Sequence, residues 1–459
     1  MAYPTLTGMS SREKIWDHDT LDQMRCEGDP PADDAVHEML RVSGDSPEVT
    51  AKILLRRLLG GGSPNALVSV PGSDLLVEFL HEYRHLPPWA DRNLLEQGQH
   101  LTRNNLVAGS VLLAVASLPE CYLDARGASV LVSTGQLNEQ PARRLRHTAH
   151  MVFSICAPGG LVHQPWEDRS VVPVGIEKAL TVRLLHALIR RLTIDGYRLP
   201  ESVYREAEEE AGLPGDPLSF GEPEMNPVPI NQEDQAFVLL TFSYVVVRGL
   251  EKMGVKLTPQ DRDAYVHLWN VVGHTMGIRR ELMPDGYDEA ASLFHALKQR
   301  LAGPCPDGRA LTESMMGWIN RLVPKPLRAF NPAAELITYF IGTESAKMLG
   351  IEQRGLRWLR HRAFNLPLEL LEATKPKHVD MNPLNLLVQY LAGPMVRQFM
   401  TEVDGQRKPT PPEYFKRQQE AERARSNGAS APSAARPSMP PAVTWPDYVL
   451  DSYGGRAMH

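Results

Sequence analysis

Residues Ala236 to Val247 read A-F-V-L-L-T-F-S-Y-V-V-V, a stretch that is apolar on every side of a helical wheel. A helix of that length is too short to span a membrane, so its place is the middle of a bundle, with other helices around it. Its start is legible as well. Asn231 can cap it, Glu233 and Asp234 put carboxylates in the first turn where they favour the dipole, and Gly254 ends it. The chain around this stretch keeps the same period. Between residues 66 and 403 nearly every apolar segment is long and helix-periodic, while alternating period-two runs are hard to find, which predicts an all-α fold built as a single large helical domain. Leu67 to Val70 offers a short strand at most.

The helices predicted within that domain are Ser73 to Leu86, cut off by Pro87-Pro88; Asp91 to Leu118, as one or two pieces; and Arg126 to Ser133. Gln140 to Cys156, the segment around His186, and Thr258 to Gly277 follow. The last of these opens on Thr258-Pro259-Gln260-Asp261, with an N-cap, a proline at the first position and an acid at the third. Tyr287 to Leu301, Leu311 to Leu322, Pro332 to Leu349 and Leu384 to Val403 complete the set. Residues 1–65 read as a polar N-terminal helical extension, with helices over Ala32 to Val42 and Ser46 to Leu59 and a break at Gly60-Gly61-Gly62. Residues 404–459 form a tail, largely disordered, because its Ser/Ala/Pro-rich part has too few apolar residues to pack.

The formal net charge of −6 comes without a sustained Lys/Arg block, which argues against a nucleic-acid partner. The first residues lack a basic region followed by an apolar one, and no apolar run approaches a transmembrane segment, so the expected location is cytoplasmic. Cys26, Cys121, Cys156 and Cys305 form no C-x-x-C, which excludes a thiolate zinc site of that kind and covalent c-type haem attachment. Neither a phosphate-binding glycine loop nor a G-x-S-x-G elbow is present. One local motif does carry chemistry. His81-Glu82-Tyr83-Arg84-His85 matches H-E-x-x-H, which on a helix turns two imidazoles toward one zinc ion and supplies a glutamate as general base. Pro87 follows too closely for the helix to continue, and only Glu96 and His100 stand near as further ligands.

A second stretch points elsewhere. In T-V-R-L-L-H-A-L-I-R-R-L, Thr181 to Leu192, an apolar arc of Val182, Leu184, Leu185, Leu188, Ile189 and Leu192 runs beside His186. Arg183 and Arg190 stand one turn before and one turn after the imidazole on the same side. An imidazole between two guanidinium groups suits a planar anionic cofactor with a metal at its centre, and haem is the obvious candidate. A core-edge histidine between two solvated arginines fits the same pattern. On the wheel of Gln140 to Cys156, Arg144 and Thr148 share the face of Met151, Val152 and Ile155, with His147 on the flank. A snorkelling arginine and a back-bonded threonine would explain that face equally well.

Taken together, L-P-P-W-A-D at Leu86 to Asp91, R-L-R-H-T at Arg144 to Thr148, V-R-L-L-H-A-L-I-R at Val182 to Arg190, N-Q-E-D at Asn231 to Asp234 and W-N-V-V-G-H-T-M-G-I at Trp269 to Ile278 resemble the latex-clearing protein and MpaB-type oxygenase family, the rubber oxygenase catalytic domain. The resemblance covers roughly residues 70–400. It implies an all-helical, globin-like core around a non-covalent haem b, and oxidative cleavage of isoprenoid carbon–carbon double bonds with dioxygen. His186 matches the family's iron ligand, and Arg183 and Arg190 match the arginines that flank it, both expected to neutralise the haem propionates. Arg144 and Thr148 match the distal arginine and threonine. His147 stands where the rubber-cleaving members carry a lysine, and Glu120 is the nearest match to their distal acid. The expectation is a haem b-dependent oxygenase acting on a hydrophobic, possibly isoprenoid, small molecule, with dioxygen and an electron donor as partners. Two other classes stay open at this point: a zinc hydrolase built on the His81 motif, and a haem-binding helical protein without catalysis.

Overall fold

The computed structural model describes residues 16–42, 47–59, 74–133, 148, 151–157, 159–162, 172–195, 228–322, 328 and 331–351. Among these residues there is no β-strand, and one isolated antiparallel bridge joins Asp124 to Ala302. The all-α expectation holds. Leu67 to Val70, Leu384 to Val403 and the tail lie outside the described residues.

The chain opens with α1 (His18–Arg25), α2 (Pro30–Val42) and α3 (Pro47–Leu59). Leu21, Met24, Val36, Met39, Leu54 and Leu58 are buried in the same apolar cluster as the rest of the described helices. Next come α4 (Asp74–Tyr83) and α5 (Arg92–Asn104), the latter capped by the Asp91 carboxylate, which accepts from the backbone N–H of Asn93 and Leu94. At Asn105 the path bends by 83° into α6 (Leu106–Leu112), so Asp91 to Leu118 is two helices. A π-helical turn over Leu113–Ser117 follows, then α7 (Leu118–Cys121) and α8 (Ala125–Ser133).

The longest described helix is α9 (Val174–Ile194), which carries His186. Near its start, Gly175 donates from its backbone to the Gly160 carbonyl at 2.8 Å, and a Cβ at Gly175 would stand 2.7 Å from the Cα of Ile155. Glycine here is what lets the end of the Thr148 segment, helical at 148 and 151–156, touch α9 backbone to backbone.

The central apolar stretch becomes α10 (Gln232–Phe242) and α11 (Tyr244–Lys252), broken at Ser243, whose hydroxyl donates to the Leu239 carbonyl. Its position is central as expected: Ala236, Phe237, Leu240, Val245 and Val247 are fully enclosed. The remaining helices are α12 (Pro259–Thr275), opened by the Thr258/Asp261 capping box, α13 (Tyr287–Leu301), α14 (Pro306–Leu322), α15 (Pro332–Ile341) and α16 (Thr343–Met348). The predicted single helix Pro332 to Leu349 divides at Gly342, where φ is +89°. No single helix among the described residues is long and apolar enough to cross a membrane.

Candidate functional site

The apolar arc predicted for α9 is real at its centre. Leu184, Leu188 and Leu192 are buried, which fixes the rotation of the helix and leaves His186 and the two arginines on one side of it. Neither arginine is solvated: Arg183 is 3% exposed and Arg190 2%. The reading of two surface guanidinium groups beside a core-edge histidine is therefore set aside.

Arg183 is enclosed on all sides. Its Nε donates to Asp29 at 2.6 Å and its Nη2 to the other oxygen of the same carboxylate at 2.8 Å, a two-pronged contact at the start of α2. Nη1 reaches the Thr275 carbonyl at 3.4 Å. The rings of Tyr83 and Phe79 at the end of α4 stack on the guanidinium with centroids 4.3 and 5.0 Å away. Gly277, with φ +84°, completes the enclosure, because a Cβ there would run into the Asp29 carboxylate and stand 2.7 Å from Arg183 Nε.

Arg190 is held differently. Its Nε donates to both Asp33 oxygens at 3.0 and 3.1 Å, and Nη1 donates to the Ile230 carbonyl at 2.9 Å. Ile230 itself has φ +53°, an uncommon conformation for a branched residue that aims this carbonyl at Arg190 and at the Gln235 amide. Nη2 of Arg190 is buried and has no hydrogen-bond partner. Asp33 is part-exposed, with 28% of its side chain accessible, and burial raises its pKa while Arg190 opposes the rise. Gly28 packs against this pair; a Cβ there would lie 2.6 Å from Asp33 and 2.8 Å from Arg190 Nε.

The His186 imidazole sits between these two ion pairs. A sliver of the residue reaches solvent, yet Nδ1 is covered and has no hydrogen-bond partner. Burial, reinforced by the Arg190 charge and opposed by the Gln235 side chain, lowers its pKa to about 4. The ring is neutral at physiological pH, with a lone pair to offer.

The N-Q-E-D and W-N-V-V-G-H-T-M-G-I segments hold this site together. Gln232 donates from its amide to the carbonyls of Gly28 at 2.7 Å and Gly277 at 3.0 Å, joining the two glycine cradles. Glu233 is fully buried and takes Arg25 and Arg300 at 2.6 Å each, so α1 and α13 are pinned to the start of α10. Trp89 of the L-P-P-W-A-D segment meets the edges of His267 and His274, with both centroids 5.8 Å away. Sequence reasoning missed Asp29, Asp33, Gly28, Gly277 and Gln235. The one local signal was Asp29 and Asp33 spaced one turn apart at a helix start, which reads equally well as dipole compensation.

Of the distal candidates, Thr148 is helical and half-buried, while Arg144 and His147 lie outside the described residues. Glu120 is fully buried and bonded to Arg248 at 2.9 Å and Lys298 at 2.6 Å, so both its oxygens tie α7 to α11 and α13. The H-E-Y-R-H motif is not on one helix. The last turn of α4 ends at Tyr83, the rings of His81 and His85 stand 6.4 Å apart and nearly perpendicular, and His81 Nε2 pairs with Arg84 at 3.0 Å. No group of three His, Cys, Asp or Glu side chains among the described residues converges as a metal site would require.

The helical arrangement that presents this histidine is one seen before. It superposes on the latex clearing protein in its closed state with a TM-score of 0.58, at 22% sequence identity, covering 82% of this chain and 90% of that one. The fold is thus of the latex-clearing type. Residues 105–368, more than half of the chain, match the model of the ER-bound oxygenase mpaB/B′ and rubber oxygenase catalytic domain, and the chain belongs to that family. A curated relative, the rubber oxygenase of Streptomyces sp. (strain K30), is 25% identical over 292 residues. That match spans 62% of this chain and 62% of the relative, so somewhat under two thirds of the relative's length is represented.

Proposed function

We propose that this protein is an oxygenase that holds haem b non-covalently through His186 and acts on a hydrophobic, possibly isoprenoid, small molecule. The observation that carries the reading is a pair of buried polar atoms with no partner on one helix, His186 Nδ1 and Arg190 Nη2. A buried polar atom left unpaired costs roughly 1–3 kcal/mol, and a ligand reaching these two, on adjacent turns of one helix, would satisfy both. Haem fits that demand. A neutral imidazole supplies a nitrogen to iron, and a guanidinium N–H supplies a donor to a propionate carboxylate. Thiolate ligation from the neighbouring segment is disfavoured, since burial pushes the Cys156 thiol up to about 12.

When bound, haem supplies the iron at which dioxygen is activated. The chain's own residues do the rest. His186 binds and orients the group, and Arg190 anchors a carboxylate of it. Arg183, already saturated by Asp29, fixes α9 against α2 and α4. Arg144 and Thr148 are assigned, by family resemblance, to hydrogen bonding on the oxygen side, with His147 at the edge of that face. A small apolar recess lined by Leu106, Gly109, Leu113, Val152, Phe153 and Tyr265 lies along the continuation of the Thr148 segment. The family match and the rubber oxygenase relative support oxygenase chemistry.

The test is spectroscopic. Protein purified with haem or reconstituted with it is expected to show a Soret band, and His186→Ala is expected to lose the haem or bind it loosely. Full haem content and an unchanged spectrum in that variant would refute the assignment.

A further inference from the structure

The two arginines flanking His186 carry different structural duties, and the difference lies in the aspartates that hold them. Arg183 and Asp29 form a sealed pair, with side chains 4% and 3% exposed, roofed by two aromatic rings and floored by Gly277. Every guanidinium nitrogen of Arg183 already has a partner. Arg190 is anchored at two points only, Nε on Asp33 and Nη1 on the Ile230 carbonyl, and its third nitrogen remains unpaired beside His186. An arginine side chain has enough rotatable bonds to swing its fork away if either anchor is removed.

We infer that Asp33, from the N-terminal segment, is the positioning residue of the haem site: by fixing Arg190 Nε it aims the unpaired Nη2 at a propionate of the cofactor that His186 ligates. This rests on the haem reading given above. Asp33 touches neither iron nor porphyrin in this scheme, and it acts through Arg190 alone. Gly28 serves the same end, because any side chain there would displace the Asp33 carboxylate from Arg190. The sealed Asp29 pair, by contrast, sets the stability of the helix pair and is indifferent to what the cofactor carries at its edge. It follows that residues 28–33 belong functionally to the domain that carries His186, although in sequence they lie outside it.

The experiment uses full-length, haem-free protein titrated with two probes, ferric protoporphyrin IX and its dimethyl ester, whose propionates carry no charge. Asp33→Asn should bind the free acid about tenfold or more weakly, the loss of one charge-assisted contact, while its affinity for the ester stays within about threefold of the native protein. Asp33→Glu should recover most of the affinity for the free acid. Asp29→Asn should lower the melting temperature and leave the ratio of the two affinities unchanged. Equal weakening toward both probes in Asp33→Asn would mean a purely structural carboxylate and would overturn the inference. Failure of the native protein to bind either probe would instead overturn the haem reading beneath it, and a variant too unstable to titrate is replaced by Gly28→Ala, which displaces the same contact.

Discussion

At Arg183 a full set of contacts on a buried cation decides what substitution does. A charge removed from a closed ion pair leaves its partner buried and uncompensated, and such losses run to about 3–5 kcal/mol. Arg183→Met is therefore expected to destabilise the haem-free protein by roughly that amount in urea unfolding, and the added change Asp29→Leu should restore much of it by removing the stranded carboxylate. A double variant no better than the single one would show that the pair contributes through geometry and not through charge. The sequence places His186 and both arginines on one face of a helix because that depends only on local period. It says nothing of Asp29 and Asp33, which lie more than 150 residues away, and whose pairing depends on how α2 crosses α9. The same limit applies to Gln235, which follows the N-Q-E-D segment and whose side chain opposes the fall in the His186 pKa from 49 residues away in sequence.

Elements show the same division between local and non-local information. The capping box at Thr258, the Asn231 cap and the bounds of Tyr287–Leu301 were legible because each depends on a few adjacent side chains. The breaks at Ser243 and Gly342 are not legible, and Asp91 to Leu118 reads as one piece or two, since the apolar pattern continues across all three breaks while the axis turns to follow packing. α6 illustrates what the pattern hides. Its Gly109 is a helix-interior glycine that costs about 1 kcal/mol relative to alanine, and a Cβ there would meet nothing within 4 Å. No neighbour requires the glycine, and it borders the apolar recess. Gly109→Leu is thus expected to keep or raise the melting temperature while weakening binding of a hydrophobic ligand, read as a higher KM or a lower affinity for a fluorescent apolar probe. Unchanged affinity would place the ligand elsewhere. The H-E-Y-R-H motif makes the opposite point: a legible local pattern came apart because α4 ends at Tyr83, before its second histidine.

Across the whole molecule the N-terminal helices, α9 and the central α10 share one apolar core, and charge is threaded through it at the start of α10. Glu233 is matched there by two arginines; Asp234 and Asp124 are buried with their pKa values raised, chiefly by burial, and the Asp124 charge adds to the rise at Asp234 while Arg126 opposes it. A carboxyl whose folded pKa lies above its unfolded value of 3.8 binds more protons in the native state than in the unfolded one throughout the interval between the two. Stability therefore falls as pH rises through that interval, and no further change comes from the group above it. Asp124 responds with the same sign. Asp234→Asn keeps the size of the side chain and the backbone N–H that donates to the Asn231 cap, while removing the charge. The variant is expected to unfold at a higher temperature than the native protein near neutral pH, to lose that advantage in acid where the native carboxyl is already protonated, and to show a flatter profile between. Measured on the haem-free chain, the profile isolates this pair from the cofactor site. A variant less stable than the native protein at every pH would mean that the ionised carboxylate is stabilised by its surroundings, and that the cost of burying it is met by Arg126.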